Sequence, residues 1–390
     1  MRVLSALICS ATLAGCGGTA LAPSTSRAAN GAVSEAANRR FHELFRFDGE
    51  GHGKHPTGRL ILTNGVAYGI TRSSGRGPTF SGGVVFSFTP AAGEQILHVF
   101  KGGTKDGEDP SSLIFAGGKF YGTTFGGGSH RHGVVFSLSP SGSEQILYSF
   151  AGGNDGDAPN DLVAVKNRLY GTTETGGAYL YGTLFEMTTS GKKTILHSFS
   201  GPPDGAGPSG RLVVSGSTIY GTTGLGGVTG DCYVEGCGTI FSVTTAGVEQ
   251  TVYDFQGGAD GYFPIDLVML DGTIYGETME RGSYNLGTVF AITASGVRVV
   301  YAFQPGDGYD PQGLSAINDS LYGTLAFGND GGSLFKLTPS GELTRLHHFY
   351  GHDGGIWPGG DLIDVNGTLE GETVYGGDAH SEGTIYAYAL

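Results

Sequence analysis

The sequence has few charged residues, a single tryptophan and no long hydrophobic run beyond its N-terminus. Charged side chains make up 15% of the 390 residues, the formal net charge is −14 and the pI is near 5.1. We therefore expect no binding to nucleic acid. Three catalytic motifs are also absent, namely Gly-x-Ser-x-Gly, the phosphate-binding Gly-Lys-Ser/Thr and His-Glu-x-x-His. The common sequence motifs therefore identify no catalytic centre.

The first forty residues have the pattern of an export signal followed by a tether. Arg2 precedes an apolar run at residues 3–13, which is too short to span a bilayer as a helix. Residues 13–16, Leu-Ala-Gly-Cys, resemble the lipobox of bacterial lipoproteins, in which the signal is removed and the cysteine is acylated. We predict a signal peptide at 1–15 and a lipid-anchored flexible tether at 16–40, with lipidation at Cys16. The alternative is an ordinary secretory signal with an incidental cysteine.

Either signal places the rest of the chain outside the cytoplasm. With the lipobox, the protein is anchored to the cell envelope, and the lipid is its only expected contact with a membrane. Gly17 stands where lipoproteins retained in the inner membrane carry Asp. In a Gram-negative host, this resemblance implies the outer membrane.

The chain has four cysteines, of which two fall in the signal region. Cys232 and Cys237 remain, in a loop bounded by glycines. In an oxidising compartment two neighbouring cysteines favour a local disulfide. A zinc site would need two further ligands, and none lies at a suitable spacing. We predict the disulfide and no metal site.

An internal repeat dominates the rest of the chain, which is rich in glycine (73), phenylalanine (22) and tyrosine (19). A Tyr-Gly-x-Thr element or a near relative recurs at intervals of 47 to 55 residues. The copies begin at Tyr68, Tyr121, Tyr170, Tyr220, Tyr275 and Tyr322, with a degenerate one at Glu370. Seven copies at this spacing account for the whole domain, which we place at 41–390.

Each copy contains four strand-like runs separated by turn residues. In the third copy they are residues 161–165, 168–172, 182–188 and 194–199. The last two alternate apolar and polar residues, as strands with one packed face do. Four strands per repeat indicate an all-β, seven-bladed β-propeller with four antiparallel strands in each blade.

The two ends of the repeat region complement each other. Residues 41–47 match the fourth run of other copies, and residues 383–388 match the third run. Pairing of these segments would complete the seventh blade from both ends of the chain and close the ring, leaving no free blade edge.

The order Leu-Tyr-Gly-Thr-Thr, Gly-Gly, Gly-Thr-Leu-Phe, Thr, Ser-Gly resembles the GloVer tandem repeat of bacterial choice-of-anchor proteins. The resemblance covers residues 41–390, is clear at Tyr121, Tyr170 and Tyr220, and is weak at Tyr322 and Glu370. It implies a surface protein in which the lipobox is the anchor. It brings no catalytic residues.

Comparison among the copies indicates that several polar residues have a structural role rather than a role in ligand binding or catalysis. His98, His197 and His347 align with Phe45, Tyr148, Tyr253 and Tyr301, so we interpret the position as ring packing. The Asp of each Asp-Gly element, followed closely by Pro, is expected to cap a turn. The alternative role for these aspartates is calcium binding, and only Asn154-Asp155-Gly156-Asp157 begins to resemble a calcium loop.

Loops that join the second and third strands, and those that lead into the next blade, share one face of a propeller. Here they vary most between copies and carry aromatic residues that do not repeat. Aromatic rings beside carboxylates are suited to binding sugars or peptides. The predicted ligand-binding face comprises Tyr179, Tyr233, Tyr262, Tyr284, Tyr309 and Trp357 with Asp155, Asp260 and Asp307.

The sequence leaves three functions open. The first is a non-catalytic surface module that binds a glycan or a protein through this face. The second is a polysaccharide-cleaving hydrolase or lyase that uses carboxylates, tyrosine or histidine at the channel mouth. The third is a purely structural envelope component. Some carboxylates, histidines and arginines differ from the equivalent residues of the other copies. If these residues cluster at one channel mouth, the enzyme is favoured; if they are scattered around the rim of the propeller, a binding function is favoured.

Overall fold

The computed structural model describes residues 40–49, 51–56, 59–74, 82–228, 232, 234–328, 331–351, 354–376 and 382–390. The predicted signal peptide, nearly all of the tether, and Cys16 lie outside these residues. Residues 40–390 form one compact unit. The described part of the chain has no helix that is both long enough and apolar enough to span a membrane.

Seven antiparallel sheets follow one another along the chain, as predicted for a seven-bladed propeller. Blade 1 contains β2 (Lys54–Pro56), β3 (Ile61–Thr63), β4 (Val66–Ser73), β5 (Val84–Thr89) and β6 (Gly93–Val99). Blade 2 contains β7 (Gly107–Ala116), β8 (Lys119–Gly127), β9 (Val134–Leu138) and β10 (Glu144–Ser149). Blade 3 contains β11 (Asp157–Val165), β12 (Arg168–Thr175), β13 (Thr183–Thr188) and β14 (Lys193–Ser198).

The same order continues through the second half of the chain. Blade 4 contains β15 (Gly205–Ser215), β16 (Thr218–Gly226), β17 (Thr239–Thr244) and β18 (Glu249–Asp254). Blade 5 contains β19 (Tyr262–Leu270), β20 (Thr273–Glu280), β21 (Thr288–Thr293) and β22 (Gly296–Ala302). Blade 6 contains β23 (Tyr309–Ile317), β24 (Ser320–Phe327), β25 (Ser333–Leu337) and β26 (Leu343–His348). Blade 7 contains β27 (Ile356–Asp364), β28 (Thr368–Tyr375), β29 (Thr384–Ala389) and β1 (Phe41–Arg46).

Blade 7 closes the ring as the two ends of the repeat region predict. Its strand order is β1-β29-β28-β27, and Phe41 pairs with Tyr388 while Arg46 pairs with Thr384. The first strands of neighbouring blades contact one another and therefore line the central channel. The fourth strand is the outermost strand of each blade.

The inner strands are longer than the sequence indicates. In blade 3 the first strand begins at Asp157, four residues before the predicted start, because the segment around Pro159 belongs to the sheet rather than to a loop. The pairing shifts register between Pro159 and Leu162. This irregularity accommodates a proline, which has no N–H to donate to the ladder.

The repeated residues are explained by packing within a blade. A Cβ on Gly171 of the Tyr-Gly element would lie 2.6 Å from Cζ of Phe185, so the glycine makes room for the core ring. The repeated threonines pair across the sheet, with 2.8 Å between the hydroxyl oxygens of Thr173 and Thr183. Phe185 is fully buried, and burial of such a ring contributes about 1.5–3 kcal/mol.

The predicted disulfide between Cys232 and Cys237 is present. It lies in the long loop that joins β16 to β17. Both cysteines pack in the same hydrophobic cluster as Phe255 and Tyr262 of the junction with blade 5.

Candidate binding site at the channel mouth

The residue before the repeated proline at the start of each inner strand changes in chemistry from blade to blade. It has a positive φ of 54–61° in all seven blades. The seven residues are His55, Asp109, Ala158, Gly207, Phe263, Asp310 and Trp357. Left-handed backbone is rare for bulky residues, and the residue before a proline is further restricted. Such strain persists only where the surrounding structure enforces it.

The joint between blades enforces this backbone. The N–H of Trp357 donates to the carbonyl of Gly331 in the preceding blade at 3.1 Å, and the N–H of Ala158 donates to His132 at 3.3 Å. Because the backbone is common to all seven copies, the side chain is the part of this position that is free to vary. The variable side chains begin the inner strands on the loop-bearing face and therefore surround one mouth of the channel.

Four aromatic residues form a continuous row across blades 6 and 7 at this mouth. The rings of Tyr309 and Phe327 stack with their centroids 5.2 Å apart. Phe327 meets Trp357 edge-on at 4.9 Å, and Trp357 meets Tyr375 edge-on at 5.1 Å. Tyr375 in turn contacts the ring of His55 in blade 1 at 4.7 Å. We call Tyr309, Phe327, Trp357 and Tyr375 the aromatic row.

The aromatic row is accessible to solvent. Tyr309 is 47% exposed and Trp357 is 39% exposed, whereas Phe327 and Tyr375 are half-buried. Tyr309, Phe327 and Trp357 line a depression of about 340 Å³. Asp310 lies next to Tyr309, and burial raises the pKa of its carboxyl to about 6.

A charged segment occupies the mouth at blades 1 and 2. Arg72 donates two hydrogen bonds to the carboxylate of Asp109, both at 2.8 Å, and its guanidinium lies 5.6 Å from the ring centroid of Phe125. The mouth therefore presents an aromatic surface on one side and an ion pair on another.

Deeper in the channel, a second variable position carries charged residues. It precedes the conserved leucine of each inner strand and is occupied by Arg59, Ser112, Asp161, Arg211, Asp266, Gly313 and Asp361. Several of these residues line a polar cavity of about 110 Å³. We call Arg59, Asp161, Arg211, Asp266 and Asp361 the channel cluster.

The members of the channel cluster bind one another across the channel. Arg59 lies 2.9 Å from Asp361 and 3.5 Å from Asp161, and Arg211 pairs with Asp361. Asp266 accepts a hydrogen bond from the backbone N–H of Arg211 at 3.0 Å. Burial, together with the nearby Arg59, lowers the pKa of Arg211 to about 10. The two arginines tie together blades that are not neighbours in the ring.

Two glutamates occupy the variable x position of the Tyr-Gly-x-Thr element in the second strands. Glu277 and Glu372 are 0% and 1% exposed, and burial raises the pKa of each carboxyl well above its usual value. Glu277 accepts a hydrogen bond from the N–H of Gly313 at 3.3 Å. Neither oxygen of Glu372 has a hydrogen-bond partner among the described residues. Both carboxyl groups therefore keep their protons to a higher pH than an exposed glutamate does.

The structure brings together only part of the predicted ligand-binding face. Tyr309 and Trp357 belong to the aromatic row. Tyr179 and Tyr284 are 58% and 50% exposed but lie on loops of blades 3 and 5, outside the row. Tyr262 does not belong to an exposed ligand-binding face, because it is only 8% exposed and packs in a hydrophobic cluster beside the disulfide loop. Tyr233 lies outside the described residues.

The three predicted aspartates are engaged in turns. Asp260 accepts hydrogen bonds from Tyr253 Oη at 3.1 Å and from the N–H of Gln256 at 2.8 Å. Asp307 is held in the same way by Tyr301 and Gln304, both within 2.9 Å.

At Asp155, Tyr148 Oη and the N–H of Ala151 each donate at 2.8 Å, and the ammonium of Lys193 lies 2.9 Å away. These contacts agree with the turn-capping interpretation. The calcium hypothesis is untested, and at Asp155 the neighbouring cation is this ammonium.

Sequence reasoning missed Phe327, Tyr375 and the channel cluster. For the channel cluster the available signal was the alignment of the seven copies at the residue before the leucine. Phe327 and Tyr375 lie five residues after Tyr322 and Glu370, a position that also varies between copies. At both positions the chemistry changes from blade to blade, and the leucine that follows the first of them is the same in all seven copies.

The comparison with solved structures supports the fold alone, because sequence identity is low. The chain superimposes on a computationally designed protein, Ika8, with a TM-score of 0.52 at 13% identity, covering 90% of this chain and 100% of that one. A putative 6-phosphogluconolactonase from Bacteroides uniformis gives a TM-score of 0.51 at 17% identity, covering 78% of this chain and 90% of that one. No curated protein matches the sequence.

The repeat itself identifies the family. The model of the Gloeobacter/Verrucomicrobia repeat matches residues 108–328 and 270–390, which together span most of the chain. This match agrees with the GloVer resemblance of the Tyr-Gly-x-Thr units. The chain belongs to the Gloeobacter/Verrucomicrobia repeat family and folds as a seven-bladed β-propeller.

Proposed function

We propose that this propeller is a non-catalytic, extracytoplasmic surface protein that binds a glycan at the mouth of its channel. The aromatic row carries the proposal. Four contiguous rings, two of them substantially exposed, border a depression on the loop-bearing face. The apolar faces of sugar rings stack on aromatic rings, while neighbouring polar groups fix the sugar hydroxyls.

The arrangement favours a glycan over a folded protein partner. The rings contact one another in sequence and border a depression rather than a broad flat patch, so they match a chain of sugars. Asp310, which adjoins the row, offers a carboxyl group to hydroxyls. The ion pair of Arg72 and Asp109 supplies further donors and acceptors at the same mouth.

The channel cluster favours a second candidate function, cleavage of a polysaccharide. Repeat-breaking arginines and aspartates do gather in one place, which was the arrangement expected for an enzyme. However, four of its five charged side chains already form ion pairs with one another. Asp361 binds both arginines, while Asp161 lies close to Arg59 and accepts hydrogen bonds from Ser112 and from the N–H of Leu212. Because these contacts account for the cluster as a brace between blades, we favour binding without turnover.

Export and anchoring rest on the N-terminal sequence. The lipobox at residues 13–16 supports attachment to the envelope through Cys16. Replacing Cys16 with Ala would release the protein from membranes if this lipid is the anchor. Unchanged membrane association of the variant would contradict it.

The direct test is a glycan array probed with the purified protein, followed by hydrolysis assays on the glycans that bind. We expect saturable binding without turnover. In Trp357→Ala the affinity should fall about five- to thirtyfold, because loss of the largest ring removes ~1–2 kcal/mol of stacking. Tyr284→Ala is the matched control, since Tyr284 is also exposed but lies outside the aromatic row, and it should bind normally.

Three outcomes would contradict the proposal. Turnover of a bound glycan would establish the enzyme. Equal binding by Trp357→Ala and the unmodified protein would place the ligand elsewhere. If no glycan on the array binds, and a protein partner binds the unmodified protein but not Trp357→Ala, the ligand of this site is a protein and not a glycan.

A further inference from the structure

The outer edge of the propeller has a repeated three-residue junction between neighbouring blades. One position is the ring residue of the fourth strand. The second is the Asp of the Asp-Gly turn that follows. The third lies near the start of the fourth strand of the next blade. The identities at these positions differ between junctions.

Between blades 1 and 2 the junction is His98, Asp106 and Glu144. Their ligand atoms lie within 4.8 Å of one another. Nε2 of His98 and Oε1 of Glu144 are both buried without a hydrogen-bond partner among the described residues. Two uncompensated polar atoms facing a third polar group are costly unless something binds between them. We call this set the blade 1–2 cluster.

The spacing in the blade 1–2 cluster suits a metal better than a hydrogen bond. Nε2 of His98 is 3.6 Å from Oδ1 of Asp106, which is too long for a normal hydrogen bond. Two ligand atoms on a tetrahedral zinc ion, with bonds of about 2.0–2.2 Å, lie about 3.4 Å apart. Two carboxylates and a neutral imidazole carry two negative charges, which a divalent cation neutralises.

The same combination recurs between blades 3 and 4 as His197, Asp204 and Glu249. These ligand atoms also lie within 4.8 Å of one another, and Oε1 of Glu249 is buried without a partner among the described residues. Nε2 of His197 lies 3.0 Å from Asp204 in this copy, and Nδ1 lies 3.8 Å from Glu249. We call this set the blade 3–4 cluster. In the described part of the chain, these two clusters are the sets of three His, Cys, Asp or Glu side chains whose ligand atoms lie close enough together to bind one metal ion.

The junction between them provides an internal comparison. Between blades 2 and 3 the three positions are Tyr148, Asp155 and Lys193. The ammonium of Lys193 is 2.9 Å from Asp155 and 5.1 Å from the ring centroid of Tyr148, and its side chain is only 4% exposed. A cation that belongs to the protein thus fills this junction. At the junctions of blades 1–2 and 3–4 the Lys position is Glu and the ring residue is His, so these junctions gain ligands but lack this cation. At the junction of blades 7 and 1 the Lys position is also a glutamate, Glu94, but the ring residue is Phe45 and Glu94 pairs with His52.

Histidine alone does not produce the cluster. His347 occupies the ring position in blade 6, but the partner position in blade 7 is Phe41 instead of a glutamate. The two rings stack with their centroids 3.8 Å apart, and burial lowers the pKa of His347 to about 4. This histidine serves packing, as the sequence comparison predicts for the whole position.

We propose that the blade 1–2 and blade 3–4 clusters bind a divalent transition metal of the zinc type, one ion in each. Each ion is held by one imidazole nitrogen and two carboxylates, which leaves a coordination position for water. Each metal ion links the outer strands of two neighbouring blades. At the junction of blades 2 and 3, the ammonium of Lys193 makes the equivalent link. This inference is independent of glycan binding at the channel mouth.

The test is calorimetric titration of zinc chloride into the tag-free protein after removal of bound metal with a chelator. We expect two equivalents of zinc at micromolar concentrations and a higher melting temperature with zinc than without it. His98→Phe and His197→Phe should each lose one equivalent, and the double variant should lose both. Phenylalanine already occupies this repeat position at Phe45, so the variants should fold. His347→Phe is the matched control and should keep two equivalents.

A second variant tests the logic of the junction by gain of function. Tyr148→His combined with Lys193→Glu recreates the proposed ligand set between blades 2 and 3, and a third equivalent of zinc is expected. Absence of saturable zinc binding, or zinc binding that persists in the double phenylalanine variant, would overturn the proposal. A single equivalent lost only with His98 would confirm the blade 1–2 cluster and remove the blade 3–4 cluster.

Discussion

Two buried glutamates are the most unusual single residues in the propeller. Glu277 and Glu372 stand where four other blades carry the polar but uncharged threonine, as at Thr222 and Thr324, and where blade 1 carries Ile70. Both are enclosed by the inner strands, and burial raises the pKa of each well above its usual value. An acid that stays protonated when folded but ionises when unfolded makes the free energy of unfolding depend on pH.

Glu277→Gln tests this dependence. As the pH rises past the ordinary glutamate pKa of ~4.3, the unfolded side chain loses its proton before the folded one does, so rising pH favours the unfolded state by up to about 1.4 kcal/mol per pH unit. Glutamine has no proton to lose. Urea unfolding at pH 5, 6 and 7 should therefore show the variant gaining stability relative to the unmodified protein as the pH rises. A stability difference that does not change with pH would show that Glu277 is ionised in the fold.

Single residues also show where sequence reasoning stops. Tyr262 and Tyr309 begin equivalent inner strands and precede the same variable position. Tyr262 is 8% exposed and Tyr309 is 47% exposed. The difference arises from the preceding blade, because the disulfide loop of blade 4 packs in one cluster with Tyr262. Local sequence does not reveal which neighbouring loop covers a ring.

At the scale of the element, each joint between blades is a glycine placed against a proline. A Cβ on Gly133, which precedes β9 in blade 2, would lie 2.4 Å from Cδ of Pro159 at the start of blade 3. The corresponding pair at ring closure is Gly383 and Pro56, with 2.6 Å between the same atoms. The sequence predicts a proline at strand entry and a glycine before the third strand, but it does not predict that the two touch across a joint.

Gly133→Ala should weaken one joint. The added Cβ would meet the carbonyl oxygen of Thr124 at 2.3 Å as well as the proline, and φ is +91°. We expect a loss of about 2–4 kcal/mol in the free energy of unfolding, from overpacking and backbone strain. Gly117→Ala is the control, because φ is +58° and nothing lies within 4 Å, and it should cost no more than about 1–2 kcal/mol. Equal losses in chemical denaturation would show that strain, rather than the contact with the proline, determines the effect.

At the scale of the whole molecule, two features make the ring a single unit. Pairing of β1 with β29 closes the circle, and this was predictable because the two ends of the repeat region match complementary strands. The channel cluster braces the circle from inside, and this was not predictable. Arg59, Arg211 and Asp361 are far apart in sequence and meet only because the seven inner strands converge on one axis.

Asp361→Asn tests the brace. Removing this charge leaves two largely buried arginines with less compensation, so we expect a loss of about 2–4 kcal/mol in the free energy of unfolding. Glu186→Gln is the matched control, because Glu186 pairs with Arg168, whose side chain is 51% exposed, and the cost should stay below about 1 kcal/mol. If urea unfolding shows equal costs, the channel cluster does not brace the ring.

The proposed site contains a natural probe. Trp357 is the only tryptophan in the chain and lies in the middle of the aromatic row. Its fluorescence therefore reports on the channel mouth without any label. The most direct measurement is a fluorescence titration of the purified protein with an oligosaccharide identified on the array. The account predicts a saturable change in Trp357 emission with the same midpoint as binding measured by calorimetry. Calorimetric binding that leaves the emission of Trp357 unchanged would contradict it.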